Sequence, residues 1–188
     1  MKTSLKAALL VSISVTALGK AKGSETTYDR FRDQTRVETH FGMNDELLSP
    51  VQHTVSASYV CPGTATACKL KFVEIKVHVR ARKQFVGGWV YDRAHNLLFL
   101  ADGKRISPVA EPTWDGELGS RPSLLKDGSP PEELFSHETV TATFAVDDFL
   151  KLANGHMVEM ELGDKVKRPL DSLSLANLKG LAYKLLGQ

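Results

Sequence analysis

Apolar and polar residues alternate along much of this chain, and the clearest example runs from Lys71 to Arg82. Successive side chains of a β-strand point to opposite faces of a sheet, so a period of two indicates a strand with one buried face. The apolar face would carry Val73, Ile75, Val77, Val79 and Ala81, and the polar face Glu74, Lys76, His78, Arg80 and Arg82. Similar alternation or apolar runs predict further strands at 36–41, 51–59, 84–91, 97–101, 104–108, 139–146 and 157–162.

Short turn sequences join several of these strands. Asp102-Gly103 favours a type I′ hairpin turn, because both central residues of that turn need a positive φ. Cys61 and Cys68 enclose six small or turn-forming residues, so we expect them to form a disulfide that closes a hairpin. A redox or metal-binding pair is the alternative, but the spacing is not Cys-x-x-Cys and no histidine lies near.

Two helices are predicted near the end of the chain. Asp147 or Asp148 would cap a short helix, which Asn154-Gly155 would end in the left-handed conformation. The two aspartates could instead be catalytic carboxylates, although capping explains both. Ser172 or Ser174 would cap a final helix whose apolar stripe comprises Leu175, Leu178, Leu181, Ala182 and Leu185. The predicted fold class is mainly β (α+β), an antiparallel sheet or sandwich with a short helix and a C-terminal helix packed on it.

The first residues have the pattern of a secretory signal peptide. Lys2 and Lys6 precede an apolar run at 7–18, and small residues follow at the spacing that signal peptidase reads. Crossing a bilayer takes about 20 residues in a helix, so this run is too short for a membrane anchor. We therefore expect a signal peptide at 1–21, a periplasmic or secreted protein, and no membrane span after cleavage.

The remaining chain, 25–188, has the length of one domain. Its least regular part is 107–134, which holds five of the eight prolines and shows no periodicity. Such a stretch predicts a long loop that is either functional or disordered. Trp114 within it could be a platform for a ligand, or it could pin the loop onto the core.

The charge of the chain argues against two classes of partner. There are 24 Lys and Arg residues against 22 Asp and Glu, and cleavage after Gly19 would remove Lys2 and Lys6 and leave 22 of each. No other segment is dense in lysine and arginine. Electrostatic attraction to nucleic acid or to an anionic membrane therefore has no evident source.

The segment Tyr28–Val37 reads Tyr-Asp-Arg-Phe-Arg-Asp-Gln-Thr-Arg-Val. Together with the strand, short helix, strand, helix ending, it resembles small exported bacterial proteins of uncharacterised function. The resemblance implies export and brings no catalytic residues. By their own chemistry, Tyr28 and Phe31 would tuck against the sheet, while Asp29 and Asp33 would make turn or strand-edge hydrogen bonds.

Searching the sequence for catalytic motifs gives negative results. His137-Glu138-Thr139-Val140-Thr141 has threonine where a zinc-protease motif needs its second histidine. The six histidines stand at least 13 residues apart, so a metal site would need them to converge in the fold. Neither a nucleophile elbow nor a phosphate loop occurs. We expect no cofactor and no metal site.

The strongest functional candidate is the polar face of the strand at 71–82. His78, Arg80 and Arg82 share that face, and aromatic residues of the next strand could lie alongside them. The full candidate set for ligand binding is His78, Arg80, Arg82, Trp89, Tyr91 and Trp114. Such a face could bind an anionic ligand, a glycan or a protein. The alternative is a solvated face with cross-strand ion pairs.

Three functions remain open from the sequence. We favour a binding or interaction module of the cell envelope or extracellular space, with an unknown protein or glycan partner, because small exported β domains without catalytic motifs act through their surfaces. A hydrolase with a tertiary carboxylate or histidine site is the alternative. A structural accessory subunit is the third.

Overall fold

The computed structural model describes residues 23–42, 50–82, 89–90, 96–122, 132–163 and 166–187. In these ranges the chain forms ten strands and two helices, which confirms the mainly β fold with a C-terminal helix. The elements are β1 (Glu25–Asp29), β2 (Gln34–Gly42), β3 (Val51–Pro62), β4 (Phe72–Arg82), β5 (Leu97–Ala101), β6 (Lys104–Ile106), β7 (Thr113–Pro122), β8 (Glu132–Ala145), α1 (Val146–Asn154), β9 (Val158–Leu162), β10 (Val166–Pro169) and α2 (Ser172–Leu186). The predicted signal peptide lies outside the described residues.

Six strands form an antiparallel sheet in the order β1-β2-β3-β4-β8-β7. The Cys61–Cys68 disulfide closes the β3–β4 connection, as predicted, with the two Cα atoms 5.8 Å apart. Tyr59 holds the same loop, since its hydroxyl donates to the Thr66 carbonyl oxygen at 2.7 Å. Burial raises the pKa of Tyr59 to about 12.

The other four strands form an antiparallel sheet in the order β10-β9-β5-β6. The β5–β6 hairpin turns at Asp102 and Gly103, whose φ angles are 49° and 77°, so the predicted turn is confirmed. The Asp102 carboxylate also accepts hydrogen bonds from the backbone N–H groups of Met157 at 2.9 Å and His156 at 3.0 Å. These bonds lower the pKa of Asp102 and tie the hairpin to the segment before β9.

A hydrophobic core joins the two sheets and both helices. Phe99 of β5 meets Phe144 of β8 edge to face, with ring centroids 5.6 Å apart, so the small sheet packs near the β8 side of the large one. α2 packs on the β2 side, where the Asn177 amide donates to the His40 carbonyl oxygen at 2.8 Å. The predicted apolar stripe of α2 is buried or half-buried along its length.

Part of the loop expected at 107–134 is a strand. β7 pairs with β8 along its whole length, from Thr113 opposite Thr141 to its last residue. Glycines weaken the local strand signal in this segment, and pairing with β8, the next strand along the chain, compensates for this. Gly116 is required by close packing, because a Cβ there would lie 2.5 Å from the Trp114 ring. Residues 123–131 lie outside the described residues.

Three further strands differ from those that the alternation pattern predicts. β1 and β10 are too short and too polar to show a period of two, and neither was predicted. Of the strand predicted at 84–91, only Trp89 and Val90 are described, and neither lies in a strand. The other residues of that segment lie outside the described ranges.

The prediction that an aspartate caps α1 is wrong. The helix begins at Val146, and its N-cap Ala145 has no side-chain acceptor. Asp147 and Asp148 lie in the first turn instead, where negative charge interacts favourably with the helix dipole. Asp148 also accepts a hydrogen bond from the Lys151 ammonium at 2.8 Å.

The predicted ends of the helices also need correction. Gly155 follows α1 with φ −62° and ψ 146°, which is extended and not left-handed. Close packing accounts for this glycine, since a Cβ would lie 2.8 Å from the Val158 side chain. At α2 the cap is Asp171, whose carboxylate accepts from the Ser174 N–H at 2.7 Å, rather than Ser172 or Ser174 itself.

The Tyr28–Val37 segment forms the turn between β1 and β2. Asp29 and Asp33 make turn hydrogen bonds, as expected. The prediction that Tyr28 and Phe31 tuck against the sheet is wrong, because Phe31 is 88% exposed and Tyr28 46% exposed. The tight turn, which needs φ 48° at Asp33, carries Phe31 away from the sheet surface.

We predict that reducing the Cys61–Cys68 disulfide lowers the free energy of unfolding. The bridge closes a short loop, with a sequence separation of 7, so constraint of the unfolded chain contributes about 2.5 kcal/mol at most. Urea unfolding with and without a thiol reductant measures the difference without removing atoms. The C61A/C68A variant should lose more stability than reduction alone, because Cys61 is fully buried and alanine leaves a small cavity. An unchanged unfolding midpoint after complete reduction would contradict this prediction.

Candidate binding surface

One face of the six-stranded sheet points away from the core and carries the polar residues of β4. We call it the outer face. The register places His78 between Thr54 and Thr139, and Arg80 between Gln52 and His137. Arg82 lies opposite Phe135. The structure therefore brings together three of the predicted residues, His78, Arg80 and Arg82, on adjacent positions of a single strand face.

Arg80 packs on an aromatic ring of the neighbouring strand. Its guanidinium carbon lies 4.0 Å from the centroid of Phe135, within the range of a cation–π contact. Phe135 is buried, and its ring lies 6.4 Å from that of His137. Arg80 Nε is buried and has no hydrogen-bond partner. Among the described residues, the Arg80 guanidinium takes part in no ion pair and no hydrogen bond, and its position is fixed by stacking.

Arg36, an arginine at the other end of the same face, has a different environment. One terminal nitrogen donates to the Ser58 hydroxyl at 2.6 Å, and the guanidinium pairs with Glu38 at 3.3 Å and Glu74 at 3.4 Å. Glu74 also pairs with Lys76 at 3.2 Å. This end of the outer face therefore matches the expected network of cross-strand ion pairs, whereas the charge of Arg80 is left uncompensated by such contacts.

His78 separates these two regions of the outer face. Its Nδ1 lies 3.1 Å from the Thr139 hydroxyl, which orients the ring. Partial burial lowers the pKa of His78 below its ordinary value of 6.5, and the nearby Lys76 and His40 lower it further, against an opposing effect of Glu38. At a given pH the imidazole is therefore less protonated than a free histidine, and a fall in pH through its pKa would add a positive charge beside Arg80.

Trp89 and Trp114 lie together, but on the opposite side of the sheet from Arg80. Trp114 pairs with Val140, whose side chain faces the core. The two indole rings meet edge to face with centroids 5.5 Å apart. The register therefore does not bring Trp89 alongside the basic residues of β4. Tyr91 lies outside the described residues.

The tryptophan pair surrounds Glu138, a carboxylate that is only 1% exposed. One carboxylate oxygen accepts from the Val90 N–H at 2.6 Å, and the other accepts from Trp114 Nε1 at 3.3 Å. A buried carboxylate is tolerated when donors satisfy its oxygens. Glu138 thereby joins β8 to β7 and to the segment at 89–90, and Trp114 serves this packing instead of forming an exposed platform.

Sequence reasoning missed three residues of these sites, namely Phe135, His137 and Glu138. Phe135 and His137 alternate with Ser136 and Glu138, a period of two that extends the strand predicted at 139–146 toward the N-terminus. The same alternation places Glu138 on the face of Val140, opposite Val79, although a carboxylate departs from the apolar pattern of that face.

Other features of the described residues offer less for chemistry. They contain no group of three or more His, Cys, Asp or Glu side chains that could hold a metal ion. No helix among them is both long and apolar enough to span a bilayer. Two cavities, of about 470 and 320 Å³, lie along β6 in the small sheet, and neither is lined by a residue of the predicted binding set.

Comparison with known proteins returns no match to a family model, to a curated protein or to a solved structure.

We predict that His78 titrates below pH 6.5, as followed by NMR of its imidazole. Since folding lowers this pKa, the unfolded chain binds the proton more readily. The stability that His78 contributes is therefore present above about pH 6.5 and is lost as the pH falls through the folded-state pKa. K76Q removes one cause of the shift and should raise the midpoint. A His78 midpoint at or above 6.5 in the parent protein would overturn the prediction.

We predict that E138Q destabilises the protein by about 1–3 kcal/mol, because an amide can accept through one oxygen only and leaves a buried donor unsatisfied. Urea unfolding monitored by tryptophan fluorescence measures the change. The matched variant W114F keeps an aromatic ring and removes one donor, so it should leave the Val90 contact intact and cost less. If W114F instead lost more stability than E138Q, the carboxylate of Glu138 would not be the group that stabilises this contact.

Proposed function

We propose that this protein is an exported binding module of the cell envelope or extracellular space, and that it holds an anionic group of its partner at Arg80. The Cys61–Cys68 disulfide is compatible with an oxidising compartment outside the cytoplasm. The Tyr28–Val37 resemblance to small exported bacterial proteins agrees with this location.

The observation that carries the proposal is the contrast between Arg80 and Arg36. Both arginines lie on the outer face of one sheet, but carboxylates of the same sheet neutralise only Arg36. The guanidinium of Arg80 is stacked on Phe135 and makes no ion pair among the described residues. An arginine held in place by stacking, with donors unused, is suited to a carboxylate or phosphate, because its planar fork matches those groups with two parallel hydrogen bonds.

Neighbouring residues support the same chemistry. Arg82 lies two positions along β4 on the same face, and His137 lies opposite Arg80 on β8. Asp115 and Glu117 of β7 occupy the same face two strands from β4, opposite Thr139 and His137. The resulting surface has cations along β4 and carboxylates along β7. A partner would therefore have to place its anionic group over β4, which gives the surface a directional preference.

The proposal is tested by titrating the labelled protein with inorganic phosphate and with a tetraglutamate peptide, followed by two-dimensional NMR. We expect shift changes clustered at Arg80, His78 and His137. R80Q should weaken binding about tenfold or more, the usual range for losing charge-assisted hydrogen bonds. R80K keeps the charge but loses the fork, so its affinity should be intermediate.

R36Q is the matched control, because it removes an arginine that is already engaged on the same face. It should leave the binding of both probes unchanged. Equal losses in R80Q and R36Q would indicate a diffuse charge effect and would reject Arg80 as the binding residue. An absence of shift changes with either probe would reject the anion-binding proposal altogether.

A further inference from the structure

The turn between β1 and β2 projects one aromatic ring into solvent. We call residues 30–33 the β1–β2 tip. The Asp29 carboxylate accepts from the N–H groups of Phe31 at 2.9 Å and Arg32 at 3.3 Å, and the Tyr28 hydroxyl donates to the Asp33 carboxylate at 2.8 Å. Both carboxylates are therefore used in shaping the turn. The turn in return holds Phe31 in an 88% exposed position.

The disulfide loop supports the β1–β2 tip from one side. The Gly63 N–H donates to the Asp33 carbonyl oxygen at 2.7 Å, and the Thr35 hydroxyl donates to the Gly63 carbonyl oxygen at 2.7 Å. The tip and residues 63–71 thus lie at the same end of the large sheet. Both connections are short and joined by these hydrogen bonds, and the disulfide closes the second, so the turn that carries Phe31 is held against the disulfide loop.

Charge at this end of the sheet is not balanced. Residues 29–33 and 63–71 contain four cations and two carboxylates, which leaves a net charge of +2. The cations are Arg30, Arg32, Lys69 and Lys71. Arg30 lies 5.1 Å from the Phe31 ring centroid, and Arg32 makes a loose pair with Asp29 at 3.8 Å. Lys69 and Lys71 are exposed and make no ion pair among the described residues.

Apolar side chains extend the exposed surface around these cations. Val60, at the end of β3, is 38% exposed, and Phe72, at the start of β4, is 49% exposed. Both lie at the disulfide end of their strands. An exposed aromatic ring with cations around it and further apolar surface behind it is the arrangement that partitions into the interface of an anionic bilayer.

We propose that the β1–β2 tip docks this protein peripherally on anionic lipid headgroups, with Phe31 entering the headgroup region and Arg30, Arg32, Lys69 and Lys71 neutralising phosphates. The complementary charge and the 88% exposure of Phe31 favour a deformable lipid surface over a protein pocket. The balanced charge of the whole chain does not oppose this, because surface attraction is local and decays within about 10 Å at 0.1 M salt. The Arg80 site lies toward the other end of β4, so this inference does not depend on it.

The test is co-sedimentation of the mature protein with vesicles of phosphatidylcholine containing a quarter phosphatidylglycerol, compared with phosphatidylcholine alone. We expect binding to the anionic vesicles only, weakened by added salt. F31A should weaken it about tenfold or more, the range for withdrawing a phenylalanine ring from an apolar environment. R30Q/R32Q should weaken it by about fivefold per charge removed. F31W should give a blue-shifted emission component on the anionic vesicles that the parent lacks.

Matched variants separate the tip from general surface properties. M157A removes another apolar side chain, 74% exposed, and K104Q/R105Q removes two exposed cations from the small sheet. Both should bind vesicles as the parent does. Vesicle binding that is absent in the parent, or equal in F31A and M157A, overturns the proposal; an exposed Phe31 would then point to a protein contact.

Discussion

The pairing of β4 with β8 is the constraint on which the rest of this structure depends. It runs over eleven residue pairs, from Phe72 opposite Ala145 to Arg82 opposite Phe135. Because strand side chains alternate between faces, this register decides at once which residues enter the core and which share the outer face. A slip by one residue would turn the valines of β4 to the outer face and turn Arg80 into the core. Strong hydrophobic alternation on β4 therefore stabilises the polar surface as firmly as the core.

The same register accounts for the buried carboxylate of Glu138. Its position opposite Val79 places it on the core face, where an unpaired charge would be costly. The Val90 N–H and the Trp114 indole donate to its oxygens, which offsets the free-energy cost of burying the charge. The same contact joins three segments that are far apart in sequence. This polar contact explains why the two tryptophans lie on the core side, away from the cations of β4.

The outer face and the disulfide end show how local charge departs from the overall composition. The mature chain is predicted to be neutral, yet Arg36 pairs with Glu38 and Glu74, while Arg80, on the same sheet, makes no ion pair among the described residues. At the disulfide end, turn hydrogen bonds engage the carboxylates of Asp29 and Asp33, and the nearby cations make one loose ion pair among the described residues, Arg32 with Asp29 at 3.8 Å. Position in the fold, and not the count of charges, decides where this protein can attract an anion.

The sequence by itself determined the elements whose signals are local. Alternation predicted the core face of β4, the small enclosed loop predicted the Cys61–Cys68 bridge, and Asp102-Gly103 predicted the hairpin turn, because each depends on backbone geometry over a few residues. The tertiary structure alone decided that β7 pairs with β8 and that Trp89 lies against Trp114. It also decided that Arg80 stacks on Phe135 while Arg36 is neutralised. These outcomes depend on contacts between distant segments, whose energies no local pattern of residues contains.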